Sequence, residues 1–222
     1  MNQDFFNKQD LIKMLNADEE EQIMLFKKSR EITDYLIGNK VHLRGLIEYS
    51  NVCIKDCLYC GIRKSNKNTQ RYTLSNEDVI QCALYALENN YGSIAIQSGE
   101  RTDKLFISKI TRLLKEIKKI SNGKLGITLS LGELSLETYK EWFDAGAHRY
   151  LLRIETSNPV LYSKIHPNND LHNFEKRLEA LQNIRKAGFQ LGTGVMIGLP
   201  HQTIENLADD LLFLKALNAD MV

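Results

Sequence analysis

Short apolar runs alternate with longer stretches of helical periodicity along most of this 222-residue chain. The apolar runs are rich in Leu, Ile and Val and predict five strands: Val41–Ser50, Ser93–Gln97, Leu125–Leu131, Tyr150–Glu155 and Leu191–Ile197. The helical patterns that follow them predict five helices: Asn76–Asn90, Lys104–Ile120, Leu136–Ala145, Asn173–Ala187 and Thr203–Leu217. Strand and helix alternate about every thirty to forty residues, which is typical of an α/β fold with a parallel sheet.

The two ends of the chain fall outside this repeat. Glu19–Ile37 predicts one long amphipathic helix, so residues 1–40 are expected to form an N-terminal helical extension and residues 41–222 the core. The last residues, Asp220–Val222, resemble the start of a sixth strand. A sheet is seldom left without a closing partner. We therefore expect a core that is truncated at its C-terminus.

The charge balance excludes several classes of partner. Lys and Arg number 29 and Asp and Glu 28, which gives a formal net charge of +1. Such a balance gives no electrostatic argument for binding nucleic acid or an anionic membrane. No apolar stretch is long enough to cross a bilayer, and the start lacks the apolar core of a signal peptide. We expect a cytoplasmic protein.

Three of the four cysteines lie within eight residues, in the sequence NVCIKDCLYCG that follows the first predicted strand. This crowding favours a metal site over a disulfide framework. Cys53, Cys57 and Cys60 supply one ligand too few for a closed zinc site, but they suit a four-iron cluster that keeps one iron open. A zinc site completed by a distant Cys or His, in an α/β protein without radical chemistry, remains an alternative.

The C-x3-C-x2-C spacing, with Tyr59 before the last cysteine, resembles the signature of the radical S-adenosylmethionine (SAM) superfamily. The resemblance implies a TIM-type (β/α) barrel, here partial, with five βα units and the start of a sixth strand. It implies that Cys53, Cys57 and Cys60 hold a [4Fe–4S] cluster whose open iron binds the amino and carboxylate groups of SAM. One electron then breaks the sulfonium bond, which gives methionine and a 5′-deoxyadenosyl radical.

Two predicted strand ends carry residues that the resemblance assigns to SAM binding. Ser98-Gly99-Glu100 is similar to the family's Gly-Gly-Glu motif, which binds the amino group, although Ser98 replaces the first glycine. Ser130, at the end of the third strand, is expected to point into the barrel mouth and bond the ligand. The alternative for Ser98-Gly99-Glu100 is an ordinary turn between a strand and a helix. The alternative for Ser130 is a hydroxyl that bonds to the backbone.

Three further elements are assigned by the same resemblance. Glu155 is expected to hold the ribose hydroxyls of SAM; a mutual ion pair with Arg153, on the same strand face, is the alternative or an addition. Arg177 corresponds to the arginine that binds the carboxylate of SAM. The alternative is an exposed charge on the surface of a helix. Gly198 and Leu199 resemble the element that lies along the adenine, and this turn can also exist without a ligand.

Other segments resemble one branch of the superfamily, the HydE maturases of [FeFe] hydrogenase. They are Gly61-Ile62-Arg63, Val41–Glu48, Leu129–Glu133 and Asn206–Val222. The branch implies work on the dithiomethylamine ligand of the H-cluster, with a small-molecule or iron-complex substrate. It also implies an electron donor such as a ferredoxin or flavodoxin, and other hydrogenase maturases as partners. Biotin synthase-like and methylornithine synthase-like enzymes share the barrel and the cysteine spacing, and they remain alternatives.

Overall fold

The computed structural model describes residues 6–222. Five strands form one sheet in chain order, and every neighbouring pair is parallel. The strands are β1 (Arg44–Ser50), β2 (Ser93–Ser98), β3 (Gly126–Ser130), β4 (Arg149–Leu151) and β5 (Gln190–Gly192). The helices are α1 (Lys8–Leu15), α2 (Glu19–Leu36), α3 (Asn76–Glu88), α4 (Lys104–Ile120), α5 (Leu136–Asp144), α6 (Pro159–Ile165), α7 (Phe174–Lys186) and α8 (Ile204–Ala216).

Most predicted helices are confirmed to within one or two residues. Ser75 and Asp78 form a reciprocal cap at the start of α3: Asp78 N donates to Ser75 Oγ (3.0 Å), and Ser75 N donates to the Asp78 carboxylate (3.2 Å). This exchange satisfies two backbone donors that a helix start otherwise leaves unbonded. The helices α1 and α6 and the 3₁₀ turn Asp170–His172 were not predicted. Each is too short for the helical spacing of apolar residues to repeat several times.

The last two strands are shorter than predicted. β4 and β5 end at Leu151 and Gly192, although the apolar runs continue to Glu155 and Ile197. Beyond β4, Ile154 N donates to the Thr193 hydroxyl (3.1 Å) instead of to a strand carbonyl, and Glu155 adopts a left-handed φ of 69°. Glu155 still pairs with Val195 through one isolated bridge, so the two segments run side by side without forming a regular ladder.

One face of the sheet carries the core. Ile47, Ile94, Ile96, Ile127 and Leu129 are buried and pack in one cluster with apolar residues of the helices. Along this side α3 contacts α4, α4 contacts α5, and α5 contacts α7.

Side chains alternate across a strand, so the neighbours of these residues point to the other face. On that face Leu46 of β1 is 60% exposed, whereas Thr128, in register with it on β3, is buried.

The sheet curves so that its first strand approaches the residues after its last. Arg44 Nη1, at the start of β1, lies 3.1 Å from Met221 Sδ. Met221 bridges to Gly192 of β5 in a parallel sense, and Thr193 N donates to its carbonyl (3.0 Å). Both observations agree with a sixth strand that starts at Asp220–Val222.

The N-terminal helices lie apart from this core. α1 packs on α8, and Lys8 pairs with Asp209 across that contact (2.7 Å). α2 has no buried residue. The division at residue 40 stays a prediction, and its residues 1–5 lie outside the described part. From residue 6 onward, no helix combines the length and the apolar character needed to cross a membrane.

The buried face of α4 offers a test of this packing. Leu114→Ala removes a side chain with 0% exposure, so we expect it to lower the free energy of unfolding by about 2–5 kcal/mol. Leu105→Ala makes the same change on the same helix at a side chain that is 59% exposed. It should cost less than about 1 kcal/mol. Urea denaturation compares the two, and similar losses would contradict the fold.

Candidate active site

The three clustered cysteines lie on a loop at the carboxyl end of β1. Ile54 N donates to the carbonyl of Glu100 beyond β2 (3.0 Å), and Leu58 N donates to the carbonyl of Ile165 at the end of α6 (3.0 Å). Two further backbone bonds, Cys60 N to the Cys57 carbonyl (3.0 Å) and Arg63 N to the Cys60 carbonyl (3.3 Å), turn the chain. The loop is therefore held from both sides by backbone hydrogen bonds.

The thiols differ in their surroundings. Cys53 Sγ accepts the backbone N–H groups of Lys55 (3.4 Å) and Glu100 (3.3 Å), yet burial dominates and raises the pKa of the thiol. Cys57 is buried, and burial raises its pKa to about 11, against the opposing effects of Tyr59 and Arg177. Cys60 is half-buried. All three are free thiols in a partly desolvated loop.

The donor set fits an iron–sulfur cluster. Cys53, Cys57 and Cys60 lie on one loop, and Cys60 adds to the rise that burial causes in the pKa of the other two thiols. Within residues 6–222, no three His, Cys, Asp or Glu side chains are grouped so that they would hold one metal ion. Three thiolates on one loop suit a four-iron cluster that keeps one iron open.

Gly99 lets the end of β2 approach this loop closely. A Cβ atom at this position would lie 2.5 Å from the carbonyl oxygen of Val52 and 2.7 Å from Cβ of Cys53. Gly99 N donates to the carbonyl of Ser50 (2.9 Å), and the Ser98 hydroxyl donates to the Gly99 carbonyl (2.7 Å). Gly99 therefore lies directly against the cysteine loop, with Ser98 next to it in the chain.

Four charged side chains form a cluster beneath the loop. Lys55 Nζ lies 2.9 Å from Glu133 Oε2 and 3.4 Å from Glu100 Oε1, and it also donates to the carbonyl of Leu171. Arg177 donates through Nε to Glu133 Oε1 and through Nη1 to the carbonyl of Arg153. Two cations and two carboxylates balance one another, which is how buried charges are tolerated.

The two carboxylates of this cluster ionise differently. Burial raises the pKa of Glu100 to about 7, with the Glu133 carboxylate acting in the same direction. Burial also opposes ionisation of Glu133, but the adjacent Arg177 and Lys55 outweigh it and lower its pKa. Gly132 has a φ of 90°, and a Cβ there would lie 2.4 Å from Glu100 Cγ. A glycine is therefore needed for Glu100 to occupy this position.

Glu155 carries a buried oxygen without a partner. Its Oε1 accepts the Tyr59 hydroxyl (3.1 Å), whereas Oε2 is buried and has no hydrogen-bond partner among the described residues. Burial raises the pKa of this carboxyl. His166 lies edge-on to the Tyr59 ring and within 3.4 Å of its hydroxyl. An unbonded buried acceptor marks a place where a ligand hydroxyl can donate.

Arg153 and Glu155 differ in exposure: Arg153 is exposed and Glu155 is buried. Arg153 still opposes the rise that burial causes in the pKa of the Glu155 carboxyl, and the shared strand face stays a prediction. In the part of the chain that the structure describes, the alternative ion pair between them is not formed. Arg177 is no surface charge either, since only 6% of it is exposed.

The remaining predicted residues lie on neighbouring strand ends. Ser130 is half-buried at the end of β3, paired with Gln97 of β2. Gly198 has a φ of 83°, and the Gln202 side chain accepts its N–H (2.8 Å) and that of Leu199 (3.2 Å). The Leu199 side chain packs with Leu161 and Ile165 in a small apolar cluster.

Three site residues were missed in the sequence. Lys55 and Glu133 are separated by 78 positions and His166 showed no ligand spacing, so their partnership has no local signal. Lys55 alone offered one, because it is a charged residue between Cys53 and Cys57.

The close approach at Gly99 is testable. Gly99→Ala forces the Val52–Cys53 backbone to move, so we expect a loss of about 1–3 kcal/mol in the free energy of unfolding and less iron bound after anaerobic reconstitution. Gly61→Ala is the matched control, because its added Cβ meets nothing within 4 Å. Equal iron content in the two variants would contradict the packing described.

Solved structures share this fold over about half to two thirds of their own length. The chain superposes on the [FeFe]-hydrogenase maturase HydG with a TM-score of 0.84 and 26% identity, covering 97% of this chain and 48% of that one. It superposes on methylornithine synthase (PylB) with a TM-score of 0.87 and 23% identity, covering 97% and 63%. The five βα units thus form part of a TIM-type (β/α) barrel.

Sequence comparisons agree with this likeness. Over 199 residues the chain is 47% identical to the [FeFe] hydrogenase maturase subunit HydE of Thermotoga maritima, covering 89% of this chain and 55% of that protein. It is 28% identical to biotin synthase of Endomicrobium trichonymphae, covering 97% and 65%. It therefore spans less than two thirds of these relatives. The radical SAM superfamily model matches residues 47–214, and the chain belongs to the radical SAM superfamily.

Proposed function

We propose that Cys53, Cys57 and Cys60 hold a [4Fe–4S] cluster beside which the chain binds SAM and cleaves it reductively. Superfamily membership implies both cofactors. When bound, the cluster supplies the electron that breaks the sulfonium bond of SAM, which yields methionine and a 5′-deoxyadenosyl radical. The contact that carries the proposal is the bond from Glu100 N to Cys53 Sγ (3.3 Å). It joins a cluster ligand to the strand end assigned to the amino group of SAM.

The side chains around the loop are suited to a zwitterionic ligand. We assign the SAM ammonium to Glu100, with Ser98 and Gly99 beside it, because a buried carboxylate favours a cation. We assign the SAM carboxylate to Arg177, whose planar guanidinium matches it in geometry.

We assign the ribose hydroxyls to Glu155, where the unbonded Oε2 is an available acceptor. Its other oxygen is held by the Tyr59 hydroxyl, which orients the carboxylate. Ser130 is assigned to the ligand at the barrel mouth, and Gly198 and Leu199 to the adenine side. These roles remain proposals.

We propose further that the whole protein acts in [FeFe] hydrogenase maturation, in the pathway to the dithiomethylamine ligand. The 47% identity to HydE supports this over a biotin synthase-like role, for which identity is 28%. A small-molecule or iron-complex substrate follows, with a ferredoxin- or flavodoxin-type electron donor and other maturases as partners. Free thiols and low-potential donors suit the reducing cytoplasm, which we propose as its location.

Cysteine substitution tests the cluster assignment. After anaerobic reconstitution with iron and sulfide, the chain should be brown, bleach with dithionite and release 5′-deoxyadenosine from SAM. Cys57→Ala removes a ligand and should abolish this release while the far-ultraviolet circular dichroism is kept. Cys82→Ala is the control, because that thiol is exposed and lies on α3 away from the loop. Cleavage retained in Cys57→Ala, or a colourless protein with one zinc, would refute the proposal.

Complementation tests the maturase assignment. The gene that encodes this chain should restore hydrogenase activity in a strain that lacks its HydE maturase, and the Cys57→Ala gene should not. Rescue of biotin auxotrophy without rescue of hydrogenase would favour the biotin synthase-like alternative instead.

A further inference from the structure

Glu133, which follows β3, contacts three charged residues of the site. Its carboxylate bridges two cations: Oε2 lies 2.9 Å from Lys55 Nζ, and Oε1 accepts from Arg177 Nε. Its backbone N–H donates to Glu100 Oε2 (2.9 Å). The Glu133 side chain is only 13% exposed, so these bonds are formed largely out of water. One residue thus connects the cysteine loop, the end of β2 and helix α7.

The two cations that Glu133 joins differ in how many N–H donors they have left for a ligand. The Lys55 ammonium, with three N–H donors, already faces three acceptors: Glu133, Glu100 and the carbonyl of Leu171. The Arg177 guanidinium has five N–H groups, of which the bonds to Glu133 and to the Arg153 carbonyl use two. Lys55 therefore acts as an anchor for the loop, whereas Arg177 keeps donors for a second carboxylate.

We propose that Glu133 is a positioning residue that holds the cysteine loop and Arg177 in one arrangement around Glu100. This rests on the proposed function, because Glu100 and Arg177 are the groups assigned to the two charged ends of SAM. Glu133 fixes the loop through Lys55, between Cys53 and Cys57. It fixes the guanidinium through Nε, while Nη1 is held by the Arg153 carbonyl, which leaves N–H groups on the terminal nitrogens for the ligand.

Removal of the Glu133 charge should disturb both cations. A glutamine at this position keeps one acceptor oxygen and places an NH2 donor where the other oxygen accepted, so it cannot bond Lys55 and Arg177 through separate oxygens as the carboxylate does. The cluster of four charges then carries one excess positive charge in a buried place, which is costly. Lys55 has Glu100 as its remaining carboxylate, 3.4 Å away, and there it competes with the ammonium of SAM.

Glu133→Gln tests the positioning role in reconstituted protein. SAM is titrated against the reduced cluster and followed by the change in its electron paramagnetic resonance spectrum. We expect SAM affinity to fall about 10- to 100-fold, the range found when a residue that orients the direct ligands of a metal site is replaced. Glu137→Gln is the matched control, since this carboxylate lies four residues further on and is fully exposed. A merely structural role would lower iron content and stability but leave the affinity of the loaded fraction unchanged.

A second readout needs neither cluster nor SAM. In cluster-free protein, Glu133→Gln should speed alkylation of Cys53 and Cys57 several-fold relative to exposed Cys82, because Lys55 no longer holds the loop. If wild type binds no SAM but this acceleration is seen, the proposed function fails and the positioning role stands. If wild type binds SAM and the variant matches it in affinity and alkylation, the positioning role is wrong.

A double variant tests the proposal if Glu133→Gln does not fold. Lys55→Met combined with Glu133→Gln removes one buried charge of each sign, so the charge balance is kept. Arg177 still lacks its partner, and the same loss of SAM affinity is expected. Wild-type affinity in the double variant would overturn the proposal.

Discussion

The close approach of the cysteine loop to the end of β2 determines the rest of the site. Gly99 permits it, because any larger residue would meet the carbonyl of Val52. The approach brings Glu100 N to Cys53 Sγ and places the Glu100 side chain beneath the loop. Lys55 then reaches Glu100 and Glu133, and Glu133 reaches Arg177. A contact between two backbones thus fixes where four charges meet.

The charged group contains two cations and two carboxylates, of which Glu133 has a lowered pKa and Glu100 a pKa raised to about 7. A zwitterion such as the amino-acid end of the proposed ligand SAM would add one charge of each sign to this group, an ammonium beside Glu100 and a carboxylate beside Arg177. The unbonded oxygen of Glu155 lies outside this group and extends the polar surface toward a neutral, hydroxyl-bearing part of the ligand.

Local signals in the sequence were enough for the helices and for the cysteine loop. The bounds of α4 follow from its apolar period, and the Ser75–Asp78 cap from two residues three apart. Contacts between distant segments left no such signal. The Glu133 bridge joins residues from three elements, and the early end of β4 depends on the Thr193 hydroxyl of another strand. The roles of Glu155 and Arg177 came from family resemblance, and their burial was not predictable from spacing.

The contact between α1 and α8 has a consequence for the order of folding. Lys8 and Asp209 are separated by 201 positions, so their ion pair closes nearly the whole chain into a loop. Closing so long a loop costs entropy that only an assembled surface repays. The surface that α1 needs is α8, which is made after all five strands. We therefore expect α1 to dock only after α8 has been synthesised and has assembled on the sheet.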